Sequence, residues 1–216
     1  MTDKELKQHV QNAFDWEPSL DATDIGISVD AGVVTLRGNI PSYSEKVTAE
    51  RVALRVFGVK AVANDLVVHL PSTFERTDTE IAQAAVAALK WNTVVPHDRV
   101  TVAVTNGWIT LSGKVNWNYQ KDAIARAVRD LSGVTGVINN VVVEPTVKTM
   151  DVRDKIEAAF RRSAEVDARR ISVAAEDGTV ILSGNVHSWA ERLEAERAAW
   201  AAPGVKQVDD RLTVVP

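Results

Sequence analysis

The sequence predicts the α+β class, as three small αββαβ two-layer sandwiches in tandem. Three observations carry the prediction. The 216-residue chain repeats itself three times. Each repeat holds two apolar runs joined by a tight turn. Each also carries an amphipathic segment between its second and last apolar runs. A crossover helix makes the two strands it connects parallel, with a right-handed connection, so both helices fall on one face of a small sheet.

A shift of 75 residues, then of a further 71, superposes the pattern without a gap inside any unit. Gly32, Gly107 and Gly178 coincide, and two further sets do the same: Gly38, Gly113 and Gly184, then Gly58, Gly133 and Gly204. Leu36, Leu111 and Leu182 follow, with Val59, Val134 and Val205, and one charged position recurs as Arg51, Arg126 and Arg197. Self-similarity at a near-constant period marks a repeat architecture. The units read as 1–71, 77–145 and 148–216, and linkers this short predict a compact arrangement.

Each unit opens on a helix. Leu6, Val10, Ala13 and Phe14 fall on one helical face, as do Ile81, Ala85, Ala88 and Leu89, then Val152, Ile156, Ala159 and Phe160. Thr2 with Glu5, and Thr77 with Glu80, predict capping boxes; Lys148 and Asp151 stand there in the third unit, so its cap differs. The alternation of Ile25, Ile27 and Val29 predicts a half-buried strand. Asp30-Ala31-Gly32, Asn106-Gly107 and Asp177-Gly178 then predict tight hairpins, because these residues tolerate positive φ. The second strand sets Val34, Leu36 and Ile40 on one face, with Gly38 where another segment packs closely. Ser42 with Glu45, and Ser188 with Glu191, predict capping boxes on the second helix, and Gly58 a C-cap. A last strand spans Val59 to His69.

Composition narrows the chemistry. Zero cysteines exclude a disulfide scaffold, a thiol nucleophile and thiolate zinc sites. A net charge of −4 gives no footprint for general nucleic-acid binding, so no nucleic-acid partner is expected. Charges from Asp3 onward interrupt any secretory signal, and no run approaches the roughly 20 apolar residues of a spanning helix. These features predict a cytoplasmic protein.

No catalytic residue and no cofactor site are assigned. His9, His69, His97 and His187 occupy non-equivalent positions and read as surface or rim residues. His187-Ser188 has no third orienting group, and Ser188 already serves as a helix cap. Asp209-Asp210 reads as a solvated pair, and Arg51, Arg126 and Arg197 as stems covering the sheet edge. Trp91, Trp117, Tyr119 and Trp189 are candidates for a partner or interdomain surface, with local packing at helix ends as the alternative. Trp16 and Trp91 are equivalent, and Arg162 replaces them in the third unit. Arg161, Arg162, Arg169 and Arg170 are the candidate contact for an anion or anionic lipid. Against that, Asp151, Asp154, Glu157, Glu165 and Asp167 interleave with them and favour a salt-bridged face.

The unit order resembles the BON domain, on Gly38, Arg51 and the ending Gly58-Val59-x-x-Val62-x-Asn64-x-Leu66. That ending returns as Gly133-Val134-x-x-Val137-x-Asn139-x-Val141 and as Gly204-Val205-x-x-Val208-x-Asp210-x-Leu212, with Asp210 departing from the Asn of the other two. The resemblance covers essentially the whole chain. It implies a non-enzymatic binding or scaffold protein associated with osmotic or other stress, whose partner is a protein or a second copy of itself. Two alternatives come with it. One is a potassium sensor that binds the ion through backbone oxygens, although the peptidoglycan-type LysM module of such a relative is absent from this sequence. The other is an anionic phospholipid-binding module.

Overall fold

The computed structural model describes residues 1–145, 151–163 and 166–215. The first repeat runs α1 (Asp3–Asp15), β1 (Ile25–Asp30), β2 (Val33–Ile40), α2 (Tyr43–Arg55) and β3 (Ala61–Val68). The second runs α3 (Asp78–Trp91), β4 (Val100–Thr105), β5 (Trp108–Val115), α4 (Asn118–Arg129) and β6 (Gly136–Val143). The third runs α5 (Val152–Arg162), β7 (Ile171–Glu176), β8 (Thr179–Val186), α6 (Trp189–Trp200) and β9 (Gln207–Val214). Each repeat forms its own three-stranded sheet, ordered β1-β2-β3, β4-β5-β6 and β7-β8-β9. The α+β class with three tandem αββαβ units is therefore the observed fold. Among the described residues no helix is long and apolar enough to cross a membrane.

In the first and third repeats the hairpin strands pair antiparallel and the strands flanking the crossover helix pair parallel. One side of each sheet carries the core. Leu6, Val10 and Phe14 of α1 and Ala49, Val52 and Ala53 of α2 pack on Ile25, Ile27, Val34, Leu36, Ile40 and Leu66. Val152, Ile156 and Phe160 of α5 and Ala195 and Ala199 of α6 pack likewise on Ile171, Val173, Val180, Leu182, Val186 and Leu212. Burying each large aliphatic or aromatic side chain contributes about 1.5–3 kcal/mol, which is what binds otherwise marginal helices of 11 to 14 residues to short strands.

Both predicted boxes at the first helices form: Glu5 and Glu80 accept the amides of Thr2 and Thr77 at 2.8 Å, and each threonine hydroxyl accepts in return. In the third repeat Asp151 stands at the N-cap without a side-chain cap bond, and Lys148 lies outside the described residues. Asp3 of α1 reaches the hairpin turn and accepts from the amides of Ala31 and Gly32 at 2.8 and 3.1 Å; Asp78 of α3 does the same for Asn106 and Gly107. All three turns have positive φ at both loop residues, including Ala31 at 50° where the other repeats place Asn106 and Asp177.

Gly38 is where backbone packs closely. Its φ is +133°, and a Cβ there would collide with the carbonyl oxygen of Asp24; Gly113 and Gly184 face the carbonyls of Arg99 and Arg170 in the same way. Gly58 is not the helix cap. Val56 caps α2, and Gly58 lies two residues on, where its positive φ allows the Val59 amide to bond the Val56 carbonyl at 3.2 Å.

Candidate functional site

The start of the second helix differs from a capping box, and the difference recurs. Ser42 and Ser188 accept from the amides of Glu45 and Glu191, but neither carboxylate returns to the cap residue's amide. Glu45 accepts instead from the Asp21 amide at 3.3 Å, and Glu191 from the Asp167 amide at 2.9 Å. These carboxylates therefore tie the second helix to the loop before the first strand. In the second repeat the loop residue is Pro96, which has no N–H to donate. The matching helix residue is Gln120, whose Oε1 turns to the amides of Asn116 and Trp117 at 3.1 and 3.2 Å.

Glu191 is the most buried of the three, with 6% of its side chain exposed. Burial opposes its charge, but the amides of Asp167 and His187 and the His187 imidazole outweigh it and hold the carboxyl below its ordinary range. His187 bonds Glu191 through Nδ1 at 3.0 Å and meets Arg170 at Nε2. One face of His187 is thus a rim residue, half exposed, engaged with two charged partners.

The third strand of the sheet is an edge, and side chains satisfy part of it. In the first repeat Lys46 Nζ donates to the Leu66 carbonyl at 2.6 Å, and Asn64 Oδ1 accepts from the Leu66 amide. Asn64 Nδ2 also donates to the Lys46 carbonyl and to Glu50. In the third repeat Asp210 replaces the Asn and Arg192 replaces the Lys. Arg192 Nε bonds Asp210 at 2.7 Å while Asp210 accepts from the Leu212 amide at 2.9 Å. The solvated-pair reading of Asp209-Asp210 is therefore wrong for Asp210, only 15% exposed and ion-paired; Asp209 faces outward and pairs with Arg211. A side chain at this place blunts pairing with another chain.

Arg192 also lies over the Trp189 ring, 4.6 Å from its centroid. Two turns along α6, Glu196 takes a 3.4 Å bond from Trp200 Nε1. Burial raises the Glu196 carboxyl; Trp200 opposes that, Asp210 adds to it, Arg192 opposes it and Asp122 adds to it. Arg197 is turned to solvent and paired with Glu194, so its stem does not cover a sheet edge.

The other candidates separate. Trp117 and Tyr119 stack on each other, 6.3 Å between centroids, while Trp189 is occupied by Arg192. Trp91 is 86% exposed at the end of α3, and its equivalent Trp16 is 89% exposed just after α1. Arg161 reaches Glu157 at 3.7 Å, Arg170 is held at His187, and Arg162 and Arg169 are exposed. The basic run is thus partly drawn into local pairs. Gly133 and Gly204 repeat the positive φ of Gly58 in turns.

Within the first compact unit a cavity of about 440 Å³ lies at the N-terminal end of α2, between Ser42, Ser44 and Phe74 on one side and Arg129 and Asp130 on the other. Ser44 Oγ donates to Asp130 at 2.7 Å, and Arg129 pairs with the same carboxylate oxygen at 3.1 Å. No histidine lines it. Among the described residues no group of three or more His, Asp or Glu side chains could hold a metal ion.

The residues that sequence reasoning missed are the loop partners Asp21 and Asp167 and the edge partners Lys46 and Arg192. Their signal was present as paired exchanges between repeats: Pro96 with Gln120, and Arg192 with Asp210.

The family model of the BON domain matches residues 2–69, 77–145 and 149–216. The chain is 30% identical over 147 residues to osmotically-inducible protein Y of Escherichia coli strain K12, an alignment covering 65% of this chain and 72% of that protein. Two solved structures of CdsD, a structural protein of the type III secretion system of Chlamydia trachomatis, also align. The first is 15% identical with a TM-score of 0.27, over 98% of this chain and 93% of that one. The second, a C-terminal domain, is 14% identical with a TM-score of 0.28 over the full length of both.

Proposed function

The chain belongs to the BON-domain family, and from that premise we propose that it is a non-enzymatic binding or scaffold protein of the osmotic stress response. The observation that carries the binding role is the repeated display of one aromatic anchor. Trp16 and Trp91 occupy the same place in two repeats and are 89% and 86% exposed. A tryptophan left in water at a structurally fixed position is a ready anchor for a macromolecular partner, since burying it there gains a large apolar area at small entropic loss. The stress assignment is supported by the osmotically inducible relative.

The test is genetic. A strain lacking this protein grows more slowly after an osmotic upshift, and the wild-type chain restores growth. The Trp16→Ala/Trp91→Ala variant, folded as the wild type by circular dichroism, fails to restore it. Equal growth of the deletion strain removes the stress role, and full rescue by the double variant removes the tryptophans from the binding role.

A further inference from the structure

We propose that the turn end of the second repeat's sheet, on the side away from its core, binds a neutral saccharide, with the Trp108 ring as the platform on which one pyranose ring stacks. The inference goes beyond the binding reading above and uses neither Trp16 nor Trp91.

The platform comes from an exchange of two residues. Ile109 and Leu111 of β5 are fully buried, so by strand alternation Trp108 points to the opposite side of the sheet. Trp108 is 47% exposed there. A Cβ on Gly136 of β6 would lie 2.5, 2.5 and 2.6 Å from Cε3, Cζ3 and Cδ2 of the indole. Near-equal distances to three atoms of the six-membered ring mean that the ring lies across the glycine with its second face outward. Gly136 has no positive φ, so the backbone does not call for glycine; the close approach of the ring does. The paired positions are Val33 with Ala61 in the first repeat and Thr179 with Gln207 in the third. Neither pair builds a flat aromatic surface.

The surroundings lose their charges in the same repeat. Thr105 stands where the other repeats carry Asp30 and Glu176, and Asn106 stands where the third carries Asp177. Thr135 takes the place of Lys60 and Lys206, whose stems lie against Gly32 and Gly178 in the other two turns. Its hydroxyl donates to the Asn106 carbonyl at 3.2 Å. Ile138, 44% exposed, extends the apolar floor beyond Gly136, where the third repeat has Asp209. Two charged side chains that reach this end of the repeat are engaged locally. Asp78 accepts from both turn amides, and Arg76 donates to the carbonyls of Thr73 and Glu75.

Charge and shape select the occupant. With threonine in place of lysine at position 135 an anionic ligand loses its partner. With no carboxylate at 105 or 106 a cationic ligand loses its own, so the ligand is neutral. A flat indole gains most from a ligand with an apolar face, while hydroxyls and an amide both donate and accept hydrogen bonds. A pyranose ring with equatorial hydroxyls offers both, C–H bonds on its faces and hydroxyls around its rim. A wholly apolar occupant would desolvate Thr105, Asn106 and Thr135 without giving them partners. One open platform binds weakly, with a Kd of order 1 mM.

Cellotetraose, a neutral β-linked glucose chain, is the probe, followed in proton–nitrogen correlation spectra of the full chain up to about 10 mM, roughly tenfold above that Kd. The Trp108 indole signal and the amides of Asn106 and Thr135 are expected to move along one saturating curve, while the other five tryptophan indoles stay in place. Trp108→Thr installs the third repeat's residue, keeps the circular dichroism of wild type and weakens binding at least about tenfold, read at the two amides. Gly136→Ala retains the tryptophan but lifts its ring, and weakens binding as well. Raising NaCl from about 0.05 to 0.5 M leaves the Kd unchanged, since no charge takes part. No movement of Trp108 at the top of the titration, wild-type affinity in either variant, or a Kd that climbs with salt overturns the proposal. A Trp108 signal that moves on dilution of the protein and not with the sugar gives the face to a second copy, and overturns it too.

Discussion

Glu191 accepts the backbone amide of Asp167 at 2.9 Å, joining the first turn of α6 to the loop that leads into β7. A nearly buried carboxylate thus does the work of a loop-to-helix strut. It is held ionised by amide donors and by His187 against the unfavourable effect of burial.

Removal of that strut has a predictable sign and size. Glu191→Ala leaves the amides of Asp167 and His187 without their acceptor and destabilises the third repeat by about 2–3 kcal/mol in urea unfolding. Because the folded-state carboxyl lies below its ordinary range, its contribution is present at neutral pH and fades as pH falls through the folded-state value. Wild type and Glu191→Gln therefore converge in stability on acidification. A difference that persists unchanged at low pH contradicts the assignment.

Glu196 has the opposite sign. Its carboxyl is raised, chiefly by burial, so its ionised form opposes folding. That penalty is absent below the ordinary carboxylate range and complete above the raised folded-state value. Glu196→Gln is expected to raise the unfolding midpoint at neutral pH and to leave it unchanged in acid, as read by thermal unfolding at two pH values.

The exchange of Pro96 for aspartate and of Gln120 for glutamate tests whether the loop and helix positions act as a pair. Either change alone leaves a donor or a carboxylate oxygen without its counterpart. Together they recreate the arrangement of Asp167 with Glu191. A double-mutant cycle is expected to show a favourable coupling of about 1 kcal/mol, and strict additivity refutes the pairing.

Ala31 occupies a left-handed turn position, φ 50°, that the other repeats give to Asn106 and Asp177. A side chain with a branch-free Cβ pays about 1 kcal/mol there, and asparagine less. Ala31→Asn is expected to stabilise the first repeat by several tenths of a kcal/mol to about 1 kcal/mol, and Asn106→Ala to destabilise the second by a similar amount. Thermal unfolding of the two variants reads both signs.

Repeat number, element order, the parallel strand around the crossover helix and the close approach at Gly38 were determined by the sequence itself. Periodicity, turn residues and recurring glycines are local, and local sterics govern them. The boxes at Thr2 and Thr77 belong to the same class, because donor and acceptor sit three residues apart. Tertiary structure alone decided where Glu45 and Glu191 point, since their partners Asp21 and Asp167 lie 24 residues away in sequence. It likewise turned Asp210 from a solvated residue into the ion-pair partner of Arg192, 18 residues distant. A carboxylate follows whichever unsatisfied donor the folded chain brings within about 3 Å. Which donors those are is settled only when loop, helix and strand edge pack together, and the same packing leaves Trp16 and Trp91 facing water.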